Sequence, residues 1–96
     1  MTIRDGRQPG TLVVCGELDV AGKPVLCAAV RQALLVRGAD VVLDVAGVSF
    51  IDAQGLSALV VCRGLAGLAE RRLRLVAVPA RMVRLLRLTG LDRVLL

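Results

Sequence analysis

The chain has 96 residues, a length that allows one modest hydrophobic core, so we expect a single domain over residues 1–96. Histidine is absent, which removes the commonest general base and the commonest metal ligand, so the sequence predicts no enzyme, no metal site and no other cofactor. The net charge of +5 does not indicate direct binding to nucleic acid, because the basic residues are spread over every segment and no aromatic residue is placed to stack on a base.

The first half of the sequence shows strand, helix and strand patterns in turn. Thr11–Asp19 begins with β-branched residues and predicts a strand, with Met1–Arg4 as a short partner strand. Asp40–Val45 is a brief apolar run, which is typical of a central strand covered on both faces. Between them, Pro24–Val36 predicts an amphipathic helix whose apolar residues recur at helical spacing: Val25, Leu26, Ala29, Val30, Ala33 and Leu34.

The second half continues the alternation. Leu73–Val78 predicts another strand, Ala80–Leu88 a third helix, and Leu91–Leu96 a short hydrophobic end. This order predicts an α/β domain with a mixed, mostly parallel sheet of about four to five strands and about three to four helices. The clearest helical pattern of the sequence is Gln54–Glu70, which precedes the strand Leu73–Val78. Its predicted core face is Ala58, Val61, Cys62, Leu65, Leu68 and Ala69.

The strand-to-helix turn Phe50–Leu56 is the candidate functional site. Asp52 occupies the helix-capping position, and the helix dipole favours a negative group at this end, such as a phosphate or a partner's carboxylate. Gly55 lets another backbone come close. Asp19 ends the first long strand and lies near this turn if the sheet is parallel, where it contacts a partner or caps the helix that follows. We interpret the turn as the centre of a protein-docking surface.

The helix after this turn gives a second indication of docking, because the side opposite its predicted core face is apolar and rich in glycine. Each glycine costs a helix about 1 kcal/mol relative to alanine, which a close-packing surface would justify, although drift in a tolerant surface helix is the alternative. The predicted outward residues are Leu56, Val60, Arg63, Gly64, Gly67 and Arg71.

Three motifs follow one another along the chain: Gly16-Glu17-Leu18-Asp19, then Leu43 to Asp52 with Gly55-Leu56, and finally Leu88-Thr89-Gly90-Leu91. Together they resemble the anti-sigma factor antagonists of the STAS domain family. The resemblance covers nearly the whole chain and implies a STAS-like fold. It also implies partner switching: the unmodified antagonist binds a kinase-like anti-sigma factor, which releases its sigma factor, and phosphorylation by that kinase ends the binding.

The sequence departs from this family at the phospho-acceptor position. In the family, the accepting Ser or Thr immediately precedes the glycine of the Asp-x-Ser/Thr-Gly-Leu motif, and Gln54 occupies that position here. A neutral amide cannot accept a phosphoryl group and does not imitate its charge. Ser57 carries the nearest hydroxyl. It is either an ordinary surface serine or a substitute acceptor of the phosphoryl group. The partner-binding residues implied are Asp19, Asp52, Ala53, Gln54, Gly55, Leu56, Ser57, Val60 and Arg63.

Two functions therefore stay open. The first is an anti-sigma factor antagonist that is permanently competent to bind its kinase-like anti-sigma factor. The second is a STAS accessory or scaffold subunit in a transporter or a stressosome-like assembly, where the same turn docks without a phosphorylation cycle.

Membrane insertion and secretion are not expected. The longest uncharged run, Ala53–Cys62, is far shorter than the roughly 20 apolar residues that a bilayer requires, and Met1–Asp5 lacks a secretory pattern. We therefore expect a cytoplasmic protein.

The three cysteines are odd in number and widely spaced, which predicts buried small hydrophobes rather than disulfides or metal ligands. The short end after Leu91 leaves an apolar edge that we expect a homodimer or a partner to cover.

Overall fold

Four strands and four helices follow one another in the computed structural model, which describes residues 1–36 and 38–96. Their order confirms the predicted α/β alternation, including the short first strand, and the hydrophobic end forms a short helix that was not predicted there. Their bounds are β1 Thr2–Asp5, β2 Thr11–Leu18, α1 Gly22–Leu34, β3 Val41–Ile51, α2 Ala53–Leu68, β4 Leu73–Val76, α3 Ala80–Thr89 and α4 Asp92–Leu95.

The four strands form one sheet in the order β1-β2-β3-β4. β1 is antiparallel to β2, whereas β2 with β3 and β3 with β4 are parallel, so the predicted mixed, mostly parallel sheet is confirmed. β3 is a strand of 11 residues that continues well beyond the predicted segment Asp40–Val45. Two irregularities in its register with β2 each add one residue to β3, which lets the longer strand remain paired as bulges do.

Only one face of β3 is fully covered, so the expectation of burial on both faces is wrong. Val41, Leu43 and Val45 are buried, while the alternating Val42 and Asp44 are partly exposed. Successive side chains of a strand point to opposite faces, and β3 begins with two consecutive valines, one on each face. The sequence at the start of the strand therefore did not distinguish the buried face from the exposed one. The buried face forms the core together with α1 and α2, which pack against each other and against β2 and β3.

The core faces of the helices differ in part from those predicted. In α1, Val25 is 44% exposed, whereas Leu26, Cys27 and Val30 are buried. In α2, the predicted core residues Val61, Leu68 and Ala69 are exposed. The residues that α2 buries are Gly55, Ala58, Leu59, Cys62 and Ala66. Apolar residues surround this helix on all sides, so spacing alone did not determine which side faces the sheet.

Two of the three cysteines are buried, as predicted. Cys27 of α1 and Cys62 of α2 are buried with their Sγ atoms 3.8 Å apart, while Cys15 is half-buried. Burial raises the pKa of the Cys62 thiol well above its usual range, and the adjacent Cys27 adds to the effect. These two thiols therefore fill the space between the helices.

The C-terminal segment contributes to the core through Leu95, which is fully buried, while Val94 and Leu96 remain partly exposed. The predicted homodimer at this edge stays a prediction. Among the residues that the structure describes, no helix is both long enough and apolar enough to cross a membrane.

Candidate protein-docking site

The C-terminal ends of β2 and β3 lie side by side and bring the candidate residues to one edge of the sheet. Leu18 pairs with Ile51, and the Asp52 amide donates a hydrogen bond of 3.4 Å to the Leu18 carbonyl oxygen. Asp19 and Asp52 each follow directly after their strand, so both carboxylates reach the same edge. This is the arrangement that a parallel pairing of the two strands predicts.

Both carboxylates hold the start of a helix. Asp52 accepts a hydrogen bond of 3.0 Å from the Gly55 amide and is the N-cap of α2. Asp19 accepts one of 2.9 Å from the Gly22 amide at the start of α1. Of the two roles considered for Asp19, the structure shows the capping contact. The two acids thus fix where α1 and α2 begin at the docking edge.

Gly55 is buried, and the backbone that approaches it belongs to β2. A Cβ atom at this position would collide with the Leu18 carbonyl oxygen and lie 2.8 Å from Ile51 Cγ1. Only glycine therefore lets the first turn of α2 pack directly against the end of β2. Gly55 therefore positions the turn, and its own surface is covered.

The exposed part of the turn continues into a solvent-facing side of α2, which we call the α2 outward face: Ala53, Val60, Val61, Gly64 and Leu68. Val60 is 47% and Leu68 87% exposed. A Cβ atom added at Gly64 or Gly67 would meet no atom of the described residues within 4 Å, so this side is open. Gln54 and Arg63 are also exposed beside it, while Leu56 and Ser57 are half-buried.

Arg71 does not belong to this surface, contrary to the sequence prediction. Its Nη1 and Nη2 atoms each donate a hydrogen bond of 2.6 Å, to the carbonyl oxygens of Val36 and Leu34. Arg71 lies beyond the end of α2, so helical spacing from Gly67 no longer defined its direction. The guanidinium instead supplies partners for the last carbonyls of α1.

A contact between Lys23 and Ser57 was not found from the sequence. Lys23 Nζ donates a hydrogen bond of 2.9 Å to Ser57 Oγ and joins the first turns of α1 and α2. The signal that could have found it is the topology, because helices that follow adjacent parallel strands begin at the same edge. Ser57 therefore has a basic neighbour.

The site has the features of a binding surface. No group of three or more His, Cys, Asp or Glu side chains among the described residues could hold a metal ion. An open apolar helix side, an exposed amide and a flanking arginine can instead exclude water and form hydrogen bonds with a second protein.

Comparisons with known proteins agree with this fold. The structure of the anti-sigma factor antagonist SpoIIAA in its unphosphorylated form is 17% identical in sequence and superimposes with a TM-score of 0.67, covering 97% of each chain. The Bacillus cell fate determinant SpoIIAA in its phosphorylated form is 19% identical with a TM-score of 0.70, covering 99% of this chain and 89% of that one. No curated protein sequence matches significantly. The family model described as Mlab, STAS domain matches residues 1–96, so the chain belongs to this STAS domain family.

Proposed function

We propose that the chain is an anti-sigma factor antagonist that binds a kinase-like anti-sigma factor through the turn at Asp52 and the α2 outward face. The observation that carries this proposal is the exposed side of α2 beyond the turn, where Val60, Val61 and Leu68 are left in solvent. Monomeric proteins rarely leave such a stripe uncovered without an interaction to serve. The likeness in fold to SpoIIAA, an anti-sigma factor antagonist, supports the choice of partner class. This partner would place the domain in the cytoplasm.

The proposed partner-binding residues divide into two groups by exposure. Asp19, Asp52 and Gly55 position the turn from below, as capping groups and a close-packing glycine. The residues offered for contact with the partner are Ala53, Gln54, Leu56, Ser57, Val60 and Arg63. Of these, Ala53, Gln54, Val60 and Arg63 are exposed, so we assign them the larger share of the binding energy.

The proposed binding is not ended by phosphorylation at the turn. Gln54 stands at the exposed position where the family motif has its hydroxyl, and Ala53 beside it has none. Because an amide cannot accept a phosphoryl group, the domain stays competent to bind in the presence of kinase and ATP.

A STAS accessory or scaffold subunit of a transporter or stressosome-like assembly is the second candidate. The observation that favours it is the same pair of exposed residues, Ala53 and Gln54, because such a subunit docks permanently and needs no acceptor hydroxyl. The two candidates use one surface and differ in the protein that covers it.

The test is calorimetric titration of the purified domain with each kinase-like anti-sigma factor of the source genome. We expect micromolar or tighter binding, and at least about tenfold weaker binding for Val60→Asp, which places a charge in the α2 outward face. Val94→Asp is the matched control, because Val94 is exposed to a similar degree (40%) on α4 and should bind normally. Failure of every such kinase to bind contradicts the proposal. Capture of an assembly subunit, with the same sensitivity to Val60→Asp, would favour the second candidate.

A further inference from the structure

A groove of about 310 Å³ lies between the end of β3 and α3, and its lining includes Phe50 and Ile51 at the start of the docking turn. Its floor is formed by Val48 and Met82, which are buried. Phe50 stands at one edge and Leu88 at the other, with exposed fractions of 49% and 77%. The only aromatic side chain of the protein is thus left half in solvent beside an apolar depression.

The charged groups at this groove are all of one sign. Arg81 and Arg84 line it, both are exposed, and no acidic residue is among its lining residues. They are three positions apart on α3, so their side chains leave the same side of the helix. Two guanidinium groups can therefore reach a single anionic group placed at this edge, as arginine pairs commonly do with carboxylates.

We propose that this groove binds a free medium-chain fatty carboxylate, with the acyl chain between Phe50 and Leu88 and the carboxylate at Arg81 and Arg84. The groove has the volume of a small ligand pocket, and its mostly apolar lining with a few convergent polar groups is the usual composition of such sites. A single acyl chain of medium length is comparable in size with this volume. The proposal does not depend on which protein covers the α2 outward face.

The polar atoms at the groove argue against a polar ligand such as a nucleotide. The hydroxyl group in the lining of the groove is that of Ser49. Its Oγ atom already donates a hydrogen bond of 3.4 Å to the Gly16 carbonyl oxygen. The arginines at the rim are then the groups available for ligand recognition. An anionic head on an apolar tail matches this distribution.

The experiment is an NMR titration of the isotope-labelled protein with decanoate at neutral pH, below its micelle concentration. The chain contains neither tryptophan nor tyrosine, so fluorescence quenching would not report on this site. We expect shifts confined to groove residues, led by Phe50, Met82 and Leu88. Affinity should rise about two- to fourfold per methylene from octanoate to decanoate, because each buried methylene adds to the transfer free energy. Decanol and decyltrimethylammonium should bind at least about tenfold more weakly than decanoate.

Variants separate a specific site from general attraction to a basic protein. Arg81→Gln with Arg84→Gln should weaken decanoate binding at least about tenfold and leave decanol binding unchanged. Arg87→Gln makes the same kind of change on the same helix outside the groove, and should bind decanoate normally. Absence of shifts up to the solubility limit, equal binding of the cationic amphiphile, or equal weakening by Arg87→Gln would each overturn the proposal. The groove would then be left as part of a protein interface.

Discussion

Under the proposed function, Gln54 is the residue at which the docking turn departs from a phosphorylation switch. It is exposed at the first turn of α2, where a hydroxyl would be accessible to a kinase. We predict that Gln54→Ser, incubated with the cognate kinase-like anti-sigma factor and ATP, gains one phosphate, whereas the wild-type chain gains none. Intact-protein mass spectrometry measures the difference.

Gln54→Ala is the control for this experiment, because it removes the amide without adding an acceptor and should stay unmodified. Ser57 provides the outcome that would contradict the prediction. Its Oγ atom accepts a hydrogen bond from Lys23 Nζ, and it is half-buried. A phosphate mapped to Ser57 in the wild-type chain would show that the switch has moved along the helix.

Two glycines of α2 have opposite surroundings and predict opposite effects of the same substitution. At Gly55, a Cβ atom would collide with the Leu18 carbonyl oxygen, so Gly55→Ala should destabilise the fold by about 1–3 kcal/mol. At Gly64, the Cβ atom would lie more than 4 Å from every neighbour in the part of the chain that the structure describes. Gly64→Ala should therefore stabilise the fold by about 0.5–1 kcal/mol through helix propensity.

Urea unfolding followed by circular dichroism gives both free energies on one scale. Equal effects of the two alanines would contradict the packing seen at the start of α2.

At the scale of elements, the sequence predicted where α2 lies but not which side it buries. Its N terminus was readable because Asp52 is a capping residue between a strand pattern and a helical one. Its orientation was not, since apolar residues at 58, 59, 61, 62, 65, 66 and 68 satisfy more than one helical stripe. Contact with the sheet and with α1 selected Leu59 and Ala66, and left Val61 and Leu68 in solvent.

Arg71 shows how one side chain joins two elements that the sequence treats separately. Its guanidinium donates to the carbonyl oxygens of Leu34 and Val36 and so ties the C-terminal end of α1 to the segment after α2. We predict that Arg71→Met lowers the free energy of unfolding by about 1–2 kcal/mol, because charge-assisted bonds near the surface are lost.

Arg72→Met is the matched control for Arg71→Met. The Arg72 side chain is exposed, and the residue is held through its backbone: its amide donates to Asp40 Oδ1 and its carbonyl oxygen accepts from the Val41 amide. Replacing the side chain leaves these bonds in place, so stability should change by less than about 0.5 kcal/mol. Chemical denaturation of the two variants side by side makes the comparison. Similar losses in both would show that the contact with α1 contributes nothing.

For the whole molecule, the order of elements and the mixed sheet followed from local signals: β-branched runs, capping residues and glycines after helices. Contacts between distant segments had no such signal. The bond between Lys23 and Ser57 and the groove beside Phe50 both arise where segments far apart in the chain meet. The bond requires β2 and β3 to lie in parallel with their helices beginning at one edge, and the groove requires α3 to pack beside the end of β3.

The stability of the whole domain should fall at alkaline pH because of Cys62. Its folded-state pKa is raised by burial, so the neutral thiol favours the folded state below the usual thiol value of about 8.5, and this contribution is lost as the pH rises above it. The expected loss is up to about 1.4 kcal/mol per pH unit, since one proton leaves only on unfolding. No tyrosine titrates in this range to obscure the effect.

Urea unfolding under reducing conditions measures this loss of stability. The Cys62→Ala variant should be less stable at neutral pH, and its free energy of unfolding should depend less on pH. A slope unchanged in Cys62→Ala would mean that the buried thiol is not its source.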